Sequence, residues 1–186
     1  GGLCRLPMAV RQGDFPARPA TGPAGKGAKQ AAGGAVGCGG APGDVVLTTQ
    51  NDYVSNQIMF LSLASRFGIE VVRAPDEPSG GVNVRALEKL AHRRRPKLIS
   101  VTQVPMTSGL VQRVAEIGVI CREREILYLV DACQSVGQMP VDAKDIGCDF
   151  LTATSRKFLR GPRGVGFLYV SDRALELGLE PLFPDL

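Results

Sequence analysis

Short apolar runs at residues 45–49, 69–74, 97–102, 126–131 and 150–153 alternate with stretches of helical period, and a further apolar run follows at 164–170. A strand that feeds a helix and then another strand returns in the same direction. This order therefore predicts an α/β fold, a three-layer sandwich with a mostly parallel sheet covered on both faces. Ligands of such sheets bind beyond the carboxyl ends of the strands. Residues that close the apolar runs are thus the first candidates for chemistry.

The punctuation between the runs is local and specific. Asp52 or Ser55 caps a helix reaching about Phe67, with Ile58, Leu61, Ser62 and Ser65 on nearby faces and Gly68 as its stop. Asn83 caps a second helix with Leu87 and Leu90 inward, residues 114–124 and 142–147 form two more, and Asp172 caps a last one near Leu175. Residues 1–43 read differently. They hold 12 of the 23 glycines and 5 of the 13 prolines, and keep no apolar period. Such a composition predicts an irregular or disordered segment, with the folded domain spanning 44–186.

Charge and cysteine usage exclude several classes. The net charge of +4 is modest, and the one dense basic run, Arg93-Arg94-Arg95, ends a helical pattern, where cations complement the helix dipole. No aromatics interleave with it, so nucleic acid is not an expected partner. Five cysteines without a CxxC pair, and His92 as the only histidine, argue against a zinc site or a disulfide framework. Cys133 lies beside Asp131, but no histidine stands near it in sequence to activate a thiolate. No run reaches the roughly 18 apolar residues of a membrane span, and no signal peptide is legible. A cytoplasmic protein without a membrane partner is expected.

Chemistry concentrates at two strand ends. The run 126–131 ends in Asp131, with Gln134 three residues on, and the run 150–153 is followed by Thr154-Ser155-Arg156-Lys157. A lysine on the rim can form a Schiff base with an aldehyde cofactor, and a buried carboxylate can keep a pyridine nitrogen protonated. Two hydroxyls and a guanidinium beside the lysine suit a phosphate monoester. Gln134 can donate to a phenolic oxygen, and the turn Gly161-Pro162-Arg163-Gly164 would fix the lysine's loop. Together these groups match pyridoxal 5′-phosphate (PLP).

The stretches Val130-Asp131-Ala132-Cys133-Gln134-Ser135-Val136-Gly137 and Thr154-Ser155-Arg156-Lys157 give the chain a family resemblance. From about residue 43 onward it resembles the large domain of class V aminotransferase-type PLP enzymes of fold type I. That family includes cysteine desulfurases and isopenicillin-N-epimerase-like proteins. The resemblance implies that Lys157 is the Schiff-base lysine, Asp131 the partner of the pyridine nitrogen and Gln134 that of the phenolic oxygen. It makes Thr154 a phosphate-binding hydroxyl and Tyr53 the ring that stacks on the cofactor. Arg156 stands where the family often has histidine, next to the lysine.

Three departures accompany the resemblance. No phosphate-binding turn is recognisable upstream of residue 45. The loop Val104-Pro105-Met106-Thr107-Ser108-Gly109 looks closer to the epimerase-like branch than to the desulfurases. Third, the sequence ends before the family's C-terminal small domain, so an incomplete large domain is expected. The activity implied is that of a PLP-dependent class V aminotransferase acting on an amino acid or amine-bearing substrate, in a homodimer when full-length. A cysteine desulfurase or carbon–sulfur lyase is the alternative within the family, and a catalytically inactive scaffold the alternative outside it.

Overall fold

The computed structural model describes residues 42–177. The segment expected to be irregular, 1–43, lies outside the described residues except for its last two. Strands β1 (Val45–Thr49), β2 (Glu70–Ala74), β3 (Leu98–Thr102), β4 (Leu127–Asp131) and β5 (Phe150–Thr154) run parallel in the order β2-β1-β3-β4-β5. The last strand, β6 (Gly166–Val170), pairs antiparallel with β5 at the edge. The helices are α1 (Val54–Phe67), α2 (Val84–Arg94), α3 (Val114–Glu123), α4 (Ala143–Ile146) and α5 (Asp172–Glu176). This is the mostly parallel α/β sheet that the alternation predicts.

Alternate side chains of each inner strand point to opposite faces, and here each face has its own core. From β4, Tyr128 and Val130 join Leu47, Ile99 and Val101 against Leu87 of α2 and Ile117 of α3. Leu127 and Leu129 join Val46, Leu98 and Phe150 against Met59, Phe60 and Leu63 of α1 and Ala174 of α5. Every residue of β1, β3, β4 and β5 is buried, which explains why their sequences read as continuous apolar runs rather than as alternation.

Most helix ends follow their local signals. Gly68 stops α1 in the left-handed region at φ 68°, where a residue without Cβ is at ease. Asn83 caps α2, its side chain accepting from the Ala86 N–H at 2.9 Å. Asn83→Ala should therefore cost about 1 kcal/mol, visible as a lower urea midpoint. The basic run is structural: Arg95 is the left-handed C-cap of α2, and Arg94 pairs with Glu70 on β2.

Two ends differ from expectation. Neither Asp52 nor Ser55 caps α1: Tyr53 holds the N-cap position without a side-chain bond. The Asp52 carboxylate is engaged in a buried network instead. The cap of α5 is Ser171, one residue before Asp172. Its Oγ accepts from the Ala174 N–H and donates to Asp149. Asp149 also receives Arg173 at 2.5 Å and the Tyr128 N–H at 2.9 Å, which ties α5 to the strand starts, opposite the ligand rim. On α1, Ile58 is 61% and Leu61 55% exposed while Asn56, Met59, Phe60 and Leu63 point inward. Among the described residues, no helix is long and apolar enough to cross a membrane.

Candidate cofactor site

Parallel strands bring Thr102, Asp131 and Thr154 to one rim of the sheet, the carboxyl ends of β3, β4 and β5. Asp131 is buried there. Its Oδ1 accepts the Cys133 N–H at 2.9 Å and its Oδ2 accepts the Asn56 side-chain amide at 3.0 Å. Lys157 sits in the turn after β5, half-buried, with its Nζ 5.8 Å from the centroid of the Tyr53 ring. An ammonium at that distance is held by the ring face. The structure thus brings Tyr53, at the start of α1, together with a lysine more than 100 residues later in sequence.

The remaining residues singled out by sequence fall in different places. Thr154 is buried on β5, and its hydroxyl has no hydrogen-bond partner among the described residues. Gln134 is half-buried in the turn after β4, and Arg156 is exposed. Ser155 differs from the sequence reading of a free hydroxyl, since its Oγ donates to the Pro162 carbonyl at 2.6 Å. That bond, with Gly161 N–H to Ser155 O at 2.8 Å and Arg160 N–H to Lys157 O at 3.0 Å, braces the lysine's loop against the Gly161–Gly164 turn.

The two arms of the site also touch through backbone. Gly137 has φ 93°, and a Cβ there would meet the Phe158 carbonyl carbon at 2.7 Å. Only a glycine lets the turn that follows Asp131 lie this close to the segment that follows Lys157. Ser135, in the same turn, donates to Gln103 at 2.6 Å and pins the turn to the end of β3.

Cys133 is not poised as a nucleophile. Burial first, and then the adjacent Asp131 carboxylate, push its thiol from 9.0 up to about 12. At pH 8 its thiolate is then about a thousandfold scarcer than that of an unperturbed cysteine. Iodoacetamide should leave the Cys133 peptide unmodified under conditions that saturate a free thiol. Rapid alkylation there would contradict this environment.

Sequence reading missed two residues behind the rim. Asp52, read as a cap, is buried and bonded to Thr48, Thr102 and Asn56, and burial raises its pKa above the ordinary 3.8 against the pull of those bonds. Asn56 lies between Asp52 and Asp131. A signal existed: Asn56 falls in the helical period of Met59, Phe60 and Leu63, a polar residue on the buried face of α1.

Comparisons with known proteins show the family and the fold. The family model described as Aminotransferase class-V matches residues 24–184. The cysteine desulfurase IscS of Glaesserella parasuis is 44% identical over 105 residues, 56% of this chain and 25% of that protein. The apo structure of the cysteine desulfurase from Thermococcus onnurineus superposes with a TM-score of 0.76 at 27% identity, covering 82% of this chain and 38% of the other. An alanine–glyoxylate aminotransferase from Nostoc sp. gives a TM-score of 0.72 at 26% identity, covering 84% of this chain and 40% of the other. The chain therefore spans between a quarter and two fifths of the length of these proteins.

Proposed function

The chain belongs to the class-V aminotransferase family, whose cofactor is PLP, and from that premise we propose a carbon–sulfur-cleaving enzyme of the cysteine desulfurase type. The desulfurase names among its relatives favour this over the aminotransferase that the sequence alone puts first, even though the loop Val104–Gly109 looks epimerase-like. The observation that carries the cofactor part of the reading is the rim itself. A buried carboxylate, an aromatic face with an amine above it, and a buried hydroxyl without a partner among the described residues stand at the ends of neighbouring elements.

These groups fit the cofactor. When bound, it supplies an electron sink for the pair left behind as a bond at the substrate's α-carbon breaks. Asp131 would hold the proton on the ring nitrogen, since a carboxylate beside that nitrogen raises its pKa. Tyr53 would cover one ring face, and the Thr154 hydroxyl would donate to the phosphate. Gln134 would donate to the phenolic oxygen, and Arg156 would reach the phosphate only by moving inward. The Lys157 amine would carry the cofactor covalently and, once free, move the α-proton.

The partner expected is a second copy of the chain. Val54, Ile58 and Leu61 form an exposed apolar stripe on α1, directly after Tyr53, with Met106 exposed as well. A homodimer that covers this stripe would place its interface beside the cofactor.

The test is a product balance. A protein carrying this chain, loaded with PLP and given L-cysteine and a thiol reductant, should release sulfide and alanine in equal amounts. Keto-acid formation that needs an amino acceptor, with no sulfide, would replace desulfuration by transamination. Failure to take up the cofactor would leave the inactive scaffold.

A further inference from the structure

The polar contacts behind Asp131 carry an assignment that family membership does not supply. Asn56, in the first turn of α1, is buried, and its amide nitrogen donates to Asp131 Oδ2 at 3.0 Å and to Asp52 Oδ1 at 3.1 Å. An asparagine amide has two N–H donors, and both are committed here to carboxylates. Turning the amide over would set its oxygen against both of them, so the side chain has one orientation.

Asp52 has the surroundings of an anion. Besides Asn56, its Oδ1 accepts from the Tyr53 N–H at 2.7 Å and from Thr102 Oγ1 at 2.5 Å, and its Oδ2 accepts from Thr48 Oγ1 at 2.7 Å. Four donors converge, and two of them, the Tyr53 N–H and the Asn56 amide, can only donate and both meet Oδ1, so that oxygen stays an acceptor. Asp52 also stands just ahead of α1, which has no acidic residue in its own first turn, so it meets the positive end of that helix alone. Burial opposes ionisation, and the hydrogen bonds, Thr102 first, oppose burial.

We propose that Asp52 and Asn56 are positioning residues for Asp131. Asn56 is a bridging amide that fixes the carboxylate, and Asp52 is a buried anion behind it that adds negative charge on the side away from the cofactor. The inference rests on Asp131 being the ring-nitrogen partner. Its chemical consequence is a ring nitrogen held protonated by two carboxylates in series rather than by one. The path is built from the ends of β1, β3 and β4, the connection between β1 and α1 that carries Asp52, and the first turn of α1, so it exists before any ligand arrives.

The test compares Asp52→Asn, a neutral residue of the same shape, with the unaltered protein. PLP labelled with nitrogen-15 in the ring reports protonation of that nitrogen by its chemical shift. The variant should shift this resonance toward the unprotonated position and weaken PLP binding about tenfold. A variant that melts at a lower temperature yet keeps the ring resonance and the affinity would reduce Asp52 to a structural residue and overturn the proposal. Should Asp52→Asn not fold, Asn56→Ala gives the same comparison. In addition, the carbon-13 shift of the Asp52 carboxyl in the unaltered, cofactor-free protein at neutral pH must be that of an anion. A protonated Asp52 there overturns the proposal without any variant. Failure of the unaltered protein to bind PLP would instead remove the functional reading, while the carboxyl shift still judges the buried pair.

Discussion

Lys157→Ala is expected to abolish covalent attachment of PLP and to lower turnover by about a thousandfold or more, the scale of losing a positioned acid–base group. Lys157 is half-buried and its recorded contact is with the Tyr53 ring face, so the fold should survive its removal. Incubation with PLP, borohydride reduction and peptide mapping separate the outcomes. The unaltered protein should carry the label at Lys157, and the variant should carry none. Label at Lys144, which is exposed on α4, with none at Lys157 would move the chemistry away from the rim.

The largest effect on stability is expected at Gly118. Replacing a glycine inside a helix by alanine ordinarily stabilises by about 1 kcal/mol. Here the sign should reverse. A Cβ at Gly118 of α3 would press into the Ile146 carbonyl oxygen, well inside van der Waals contact, and lie 3.0 Å from its carbon. That carbonyl belongs to backbone fixed on one side by the Asp142 cap and on the other by Gly147 at φ 71°. It cannot rotate away as a side chain would. Overpacking of this kind should cost about 3 kcal/mol, read as a lower urea midpoint for Gly118→Ala. A midpoint raised by the substitution would show that α3 and α4 separate easily.

The parts of this protein legible in its sequence are those specified over a few residues. Gly68 and Asn83 end and begin helices through bonds to atoms three or four residues away, and both read correctly. Asp131 and Lys157 are legible for a different reason. Runs buried on both faces stand out as apolar blocks, so their ends mark the rim. The inward face of α1 was not legible, because it contains Asn56 while Ile58 and Leu61 face outward. An apolar period cannot reveal a helix that buries a polar side chain and exposes aliphatic ones. The bond from Asn56 to Asp131 spans 75 positions, and no local pattern encodes it. Ser155 is a smaller case of the same kind, its hydroxyl taken up by the Pro162 carbonyl in the returning turn.

Because β1, β3 and β4 lend alternate residues to the cores on either side of the sheet, neither core owns its backbone. Dissolving the packing under α1 would expose Leu127 and Leu129, and the strand that carries them also carries Tyr128 and Val130 on the other side. Loss of one layer therefore removes the support of the other, and cooperativity is written into the alternation of side chains along a single strand. Asp131, at the end of that strand, therefore keeps its place until both layers give way together.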